Sequence, residues 1–99
     1  MSKALLVKTG DNVATSLARL ASGQRVTLQA DDGEVHVDLA EDIEFGHKFA
    51  VRGIPAGDPI VKYAETIGLA SRDIAPGEWV HVHNVESVRA RGDRARSPG

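Results

Sequence analysis

The sequence predicts a mostly β domain with one short amphipathic helix near the N-terminus, and three observations carry that expectation. Glycine recurs between short runs of aliphatic and β-branched residues along most of the 99 positions, the punctuation of strands joined by tight turns. Asp31-Asp32-Gly33 lies between two runs of alternating character, which is a hairpin signal. Val13, Leu17 and Leu20, by contrast, repeat at the i, i+4, i+7 spacing of a buried helical stripe.

Residues 5–9 read as a first strand. Asp11 then has the residue type of a helix N-cap ahead of the apolar stripe, and Gly23 closes the helix. Residues 25–30 and 34–39 are expected to pair across the Asp-Gly turn, and residues 48–54 to form a further strand. The second half holds an internal echo. Arg52-Gly53-Ile54-Pro55-Ala56-Gly57-Asp58-Pro59-Ile60 and Arg72-Asp73-Ile74-Ala75-Pro76-Gly77-Glu78-Trp79-Val80 align at an offset of 20 residues, each reading as strand, glycine turn, strand. Leu20-Ala21-Ser22-Gly23-Gln24-Arg25-Val26 fits the same aliphatic-x-x-Gly-x-x-aliphatic skeleton more loosely. Two copies are too few for a solenoid, so long irregular hairpins folded over one another are expected.

A net charge of -2 argues against a dedicated nucleic-acid or anionic-membrane binder. No apolar run approaches the roughly 20 residues of a membrane span. The apolar stretch ahead of Lys8 is too short for a signal peptide, which makes the cytoplasm the expected compartment. Without cysteine there is no disulfide, no thiol nucleophile and no thiolate for an iron–sulfur cluster. Residues 1–87 read as one domain. Residues 88–99, with Arg89, Arg91, Arg94 and Arg96 and almost nothing apolar, read as a disordered tail. No phosphate-binding glycine loop or nucleophile elbow is present, so any catalysis is expected to be shared with another chain.

Three of the four histidines fall in Gly46-His47-Lys48-Phe49-Ala50 and Gly77-Glu78-Trp79-Val80-His81-Val82-His83-Asn84. On a strand, His81 and His83 leave the same face as Trp79, about 7 Å apart at the backbone. Such a face is expected to be covered by ligand or protein. His47, His81 and His83 would supply three neutral nitrogens to a divalent metal and leave positions open for substrate oxygens. Hydrogen bonding to substrate or partner, or a structural role, are the alternatives. Lys48 offers a fixed positive charge to a carboxylate or a developing enolate. At the expected helix start, Asp11 caps while the N–H groups of Asn12, Val13 and Ala14 face an anion, and Asn84 could orient a histidine or a substrate hydroxyl. Asp11, Asn12 and Asn84 are therefore the substrate-binding candidates. His36 reads as an ordinary strand residue and Tyr63 as a core residue.

These two stretches, with Gly10-Asp11-Asn12-Val13-Ala14 near the start and Lys62-Tyr63 followed by Ile67-Gly68, resemble the small SAF-type domain of the altronate/galactarate dehydratase family from about residue 8 to residue 85. The resemblance implies a β-clip fold. It also implies a role as the N-terminal part of a long dehydratase or as a small subunit beside a large one, with a sulfolactate sulfo-lyase among the relatives. The implied reaction eliminates water from a sugar acid or related hydroxyacid to give a 2-keto-3-deoxy acid, with iron(II) as the divalent metal. The Gly-His-Lys signature gives His47 and Lys48 a catalytic place. Ala64 departs from the glycine that related sequences more often have after the tyrosine. The alternative is a SAF-type carbohydrate-binding or assembly-chaperone module without catalysis.

Overall fold

Four glycines, Gly23, Gly46, Gly57 and Gly77, have φ between 83° and 91°, the left-handed region that a type II turn requires at its third residue. In each turn the first carbonyl accepts from the fourth N–H: Ala21 from Gln24 at 3.0 Å, Glu44 from His47 at 3.1 Å, Pro55 from Asp58 at 3.0 Å and Ala75 from Glu78 at 3.1 Å. The computed structural model describes residues 3–5, 10–30 and 33–88. Most of the expected first strand, the Asp31-Asp32 tip and the Arg-rich tail beyond Val88 lie outside them.

The described residues form nine strands: β1 (Ala4–Leu5), β2 (Val13–Ser16), β3 (Arg25–Ala30), β4 (Gly33–Asp38), β5 (Lys48–Ala50), β6 (Pro59–Lys62), β7 (Glu65–Ala70), β8 (Trp79–Val80) and β9 (Val85–Glu86). They make an antiparallel sheet of order β1-β2-β5-β8, the expected hairpin β3-β4, and a three-stranded sheet β6-β7-β9. His36 sits on β4 as an ordinary strand residue, its Nδ1 3.0 Å from Thr27 Oγ1.

The echo is a structural repeat with four members. The aliphatic residue ahead of each glycine turn pairs with another: Leu20 with Ile43, and Ile54 with Ile74. The turn glycine of each then donates to the residue four before its partner's aliphatic, Gly23 to Leu39, Gly46 to Ser16, Gly57 to Ala70 and Gly77 to Ala50, all at 2.8 to 3.0 Å. Two crossed pairs result, one around residues 16–24 and 39–47, the other around 50–58 and 70–78. Gly77 locks them together. A Cβ there would collide with the backbone of Asp38, Leu39 and Ala40, and the Gly77 carbonyl accepts from Ala40 N at 3.0 Å.

The expected helix does not form. Residues 13–16 are β2, zipped on one side to β1 and on the other to β5, and Gly23 belongs to a turn. The apolar stripe that suggested a helix is split three ways: Val13 is buried in one core cluster, Leu20 in the other, and Leu17 is 46% exposed. A helix of three turns is marginal alone, so ladder pairing on both edges overrides a short periodic pattern. The expected strand over residues 48–54 is also shorter, ending at Ala50.

The sheet's pleat separates the two cores. Ala14 and Phe49 face a cluster with Leu20, Leu28 and Ile43, whereas Val13, Ala50 and Val80 face one with Ile54, Ile60 and Ile74. Among the described residues no helix is long and apolar enough to cross a membrane.

Candidate functional site at the end of β5 and β8

Antiparallel register places Lys48 opposite Val80 and Phe49 opposite Trp79, so period-2 alternation sends Lys48 and Trp79 to opposite faces of the sheet. His47 precedes β5 as the last residue of a type II turn. Its N–H is held by Glu44 O and its carbonyl by Ser16 N at 2.9 Å. From there its ring reaches Trp79. The centroids of His47, Trp79 and His81 form a triangle with sides of 5.5, 4.8 and 5.7 Å, and the three planes are parallel to within 11°. His83 adds a tilted ring 5.0 Å from Trp79.

The histidine pair reaches this cluster by a different route from the strand expected. β8 stops at Val80, and residues 81–84 turn back, with Asn84 N donating to His81 O at 3.0 Å. Asn84 makes the turn. Its buried amide accepts from His81 N at 2.9 Å and donates to Trp79 O at 2.8 Å, so both of its polar ends are engaged by backbone. Asparagine closing a loop on its own chain is a familiar alternative to strand pairing. Trp79 is anchored as well, its N–H donating to Glu41 Oε2 at 2.9 Å. Its indole Nε1 is buried without a hydrogen-bond partner among the described residues. A cavity of about 320 Å³ opens beside His47 and Trp79, walled by Glu41, Asp42 and Glu44.

On the other face, Lys48 enters a groove of about 310 Å³ lined by Ile60, Ile67, Val80, His81 and Val85. His81 therefore borders both the ring cluster and the lysine groove. Burial, and then the neighbouring charge of Lys62, lower the Lys48 pKa from its ordinary value. The Lys48 ammonium makes no hydrogen bond or ion pair among the described residues. An accessible cation against apolar walls is suited to a carboxylate.

Asp11 and Asn12 lie at the other end of β2 from Thr15, the partner of Lys48. Asp11 caps a turn, though not a helical one: its carboxylate accepts from Tyr63 N at 3.0 Å and Ala64 N at 2.9 Å. Asn12 accepts from Val61 N at 2.7 Å and donates to Pro59 O at 2.8 Å. Of the N–H groups expected to face an anion, Asn12 N donates to Val61 O at 3.1 Å, and Val13 and Ala14 lie in β2, registered against Ala50 and Phe49 of β5. Tyr63 is not in the core. It is 49% exposed at the tip of the β6–β7 hairpin. Among the described residues no group of three or more His, Asp or Glu side chains is placed to hold a metal ion.

Sequence reasoning passed over Glu41, which acts through a backbone contact that leaves no periodic signal. It also missed Phe45, 67% exposed, and Val82, 80% exposed. These flank the ring cluster on the turns that carry His47 and His81, and so large an apolar exposure beside functional groups suits a surface that another chain covers. The signal for Phe45 was present, since Ile43-Glu44-Phe45-Gly46 is a fourth copy of the repeat.

The sequence profile of the altronate/galactarate dehydratase SAF domain matches residues 2–88. Altronate dehydratase of Escherichia coli (strain K12) is 44% identical over 86 residues, 87% of this chain and 17% of that protein. Altronate dehydratase of Bacillus subtilis (strain 168) is 37% identical over 87 residues, 88% of this chain and again 17% of the relative. The (2R)-sulfolactate sulfo-lyase subunit alpha of Chromohalobacter salexigens is 34% identical over 70 residues, 69% of this chain and 74% of that subunit. The chain thus spans about a sixth of the altronate dehydratases it matches and most of the sulfo-lyase subunit.

Proposed function

The chain belongs to the family of altronate/galactarate dehydratase SAF domains, and on that premise we propose that it is the small component of a lyase that removes water from a hydroxyacid, working with a larger dehydratase chain. The observation that supports this reading most is the position of His81, which stacks with His47 and Trp79 on one face of the sheet and lines the groove of the unpartnered Lys48 on the other. Lys48 takes the substrate carboxylate and offsets the charge that grows on its oxygens as C2 loses a proton. His47 and His81 are close enough to act on one substrate from neighbouring positions. One imidazole accepts a proton from C2 or hands one to the hydroxyl leaving C3, and the larger chain supplies the complementary group. The C3–O bond breaks, water departs, and the enol tautomerises to the 2-keto-3-deoxy acid with no oxidant or reductant required.

Iron(II), the metal the family implies, would polarise the substrate's carboxylate and hydroxyl oxygens when bound. The residues here fit it only in part. His47, His81 and His83 do not form a complete centre, so in this reading His47 and His81 contribute one or two ligands and the larger chain the rest. Asp11, Asn12 and Asn84 serve the site through the backbone they hold. A cytoplasmic location belongs to the same proposal.

The test is to purify this chain with the untagged larger dehydratase chain and offer the complex altronate, galactarate and sulfolactate, following 2-keto acid by mass spectrometry. Product from the complex and none from either part is the expected result. A complex without turnover, with carbohydrate bound tightly by this chain alone, would overturn the lyase reading in favour of a binding module.

A further inference from the structure

We propose that Glu41 is a positioning residue for the ring cluster: its carboxylate sets Trp79, and through Trp79 the placement of His47 and His81. This rests on the reading of the two imidazoles as proton-moving groups and adds the residue that holds them in place. Trp79 stands on β8, the last strand of its sheet, paired only with β5. Ala50 N donates to Glu78 O at 3.0 Å beside the Phe49–Trp79 pair, so that pair is a non-hydrogen-bonded one and the Trp79 N–H points away from β5. At an edge strand such a donor has no neighbouring strand to meet. The half-buried Glu41 takes that place, accepting from Trp79 N through Oε2 at 2.9 Å. An ionised acceptor makes this bond stronger than a backbone carbonyl would.

Glu41 is itself pinned on both sides. Ala40 N donates to Gly77 O at 3.0 Å, Asp42 Oδ1 accepts from Ser22 N at 2.8 Å, and Ile43 bridges to Leu20. The same short segment continues into the turn that carries His47, whose N–H is held by Glu44 O. Glu41 therefore ties Trp79 directly to the segment that presents His47. The tie matters because the β5–β8 ladder covers only two residue pairs. On its other side the Trp79 carbonyl accepts from Asn84 Nδ2, and the same amide holds His81 N. The indole touches both imidazoles, with centroids at 5.5 and 4.8 Å. A shift of Trp79 thus moves it against both histidines at once.

Reach, not charge, is what only Glu41 supplies. Asp42 and Glu44 line the same cavity beside His47 and Trp79, so negative charge at that wall comes from three side chains. Only Glu41 accepts from Trp79 N. Glutamine keeps an acceptor at the same reach without the charge, whereas aspartate keeps the charge and draws the acceptor back by one methylene.

One tryptophan and four histidines make the cluster readable by NMR. Imidazoles stacked on an indole have C–H signals displaced upfield by its ring current, and His36 on β4 is the internal control. In the 99-residue chain, Glu41→Ala and Glu41→Asp are expected to lose most of that displacement at His47 and His81 with His36 unmoved, while Glu41→Gln and Asp42→Ala retain it. In the complex with the larger chain, Glu41→Ala and Glu41→Asp should lower kcat about tenfold or more with KM within about threefold, because the Lys48 anchor is untouched, and Glu41→Gln should recover kcat to within about threefold of the parent. Parental His47 and His81 signals in Glu41→Asp, or a Glu41→Gln chain that loses them, would overturn the inference; this comparison decides even where Glu41→Ala does not fold. Signals that move as expected in a chain whose complex has no turnover leave Glu41 in its role and remove the lyase reading. Parental signals in the Glu41→Asp variant of an active complex do the reverse.

Discussion

Lys48 keeps its ammonium against Ile60, Val80 and Val85, where water is partly excluded and Lys62 adds a like charge. Its folded pKa therefore lies below the unfolded value near 10.5. While both states are protonated, below the folded pKa, the fold bears the full cost of holding that charge. As pH rises through the folded pKa the native state releases its proton first, the unfolded state binds more protons, and stability increases until the unfolded lysine titrates. Lys48→Met is thus expected to leave the melting temperature at neutral pH equal to or above the parent's, with a gap that narrows toward pH 10, while turnover of the complex collapses. A substitution that lowers the melting temperature by roughly 5 °C or more would show Lys48 to be a structural residue. The histidines were legible in the sequence because three of four sit in two short stretches, but a shared strand face is not what brings His81 and His83 together, since β8 ends at Val80. His81 and His83 gather around Trp79 because Asn84 turns the chain, and a single asparagine carries no periodicity from which that turn could be read.

At the scale of elements, the β6–β7 hairpin shows best how a correct residue assignment can be attached to an incorrect element. Asp11 was read as a cap and is one, but the orphan N–H groups it satisfies belong to Tyr63 and Ala64, 52 and 53 residues away in sequence. Local spacing cannot report a partner that distant. The turn has φ > 0 at both central residues, the type I′ geometry that suits the twist of a two-residue hairpin, and alanine in that region is strained. Ala64→Gly is expected to stabilise the chain by about 0.5 to 1 kcal/mol, less than the full strain because glycine also loses more freedom on folding. Asp11→Ala should cost about 2 kcal/mol by removing both hydrogen bonds that the buried Asp11 carboxylate accepts from the hairpin tip. Urea denaturation of both variants measures this; an Ala64→Gly chain less stable than the parent would remove strain from the account. The β3–β4 hairpin, by contrast, was legible to within one residue, because its alternation lies within one short segment; β4 runs Gly33–Asp38 where 34–39 was expected, and Gly33 pairs with Ala30 as a strand residue.

Across the whole molecule, the fold is the same glycine turn used four times in two crossed pairs, and the site occupies one of its repeated positions. His47 stands four residues after Ile43, as Gln24, Asp58 and Glu78 stand four after Leu20, Ile54 and Ile74, and each gives its carbonyl to a backbone N–H across the pair. A rigid repeated backbone thereby aims one imidazole at Trp79. Two copies were legible because they share arginine, isoleucine and glycine at matching places. The third was half legible, since Leu20 to Val26 fits the skeleton loosely while Leu20 also fits a helical stripe, and the fourth was passed over because Glu44-Phe45 does not resemble a turn; only the aliphatic residue, the glycine and the hydrogen bonds persist in all four. The glycines are not equivalent. Gly23→Ala meets open space and should cost only the strain of its φ, about 1 to 2 kcal/mol, whereas Gly77→Ala drives a methyl into the backbone of Asp38 to Ala40 and should cost roughly 3 kcal/mol or more; equal costs by thermal denaturation would deny that Gly77 joins the halves. The central claim is that this end of the sheet forms one wall of a shared active site. Its most direct test is turnover by the complex of His47→Ala and of His81→Ala with the larger chain. Each should fall by about a hundredfold or more, with the melting temperature of the variant chain within about 2 °C of the parent, and a His81→Ala complex that keeps turnover within about threefold of the parent would contradict the claim.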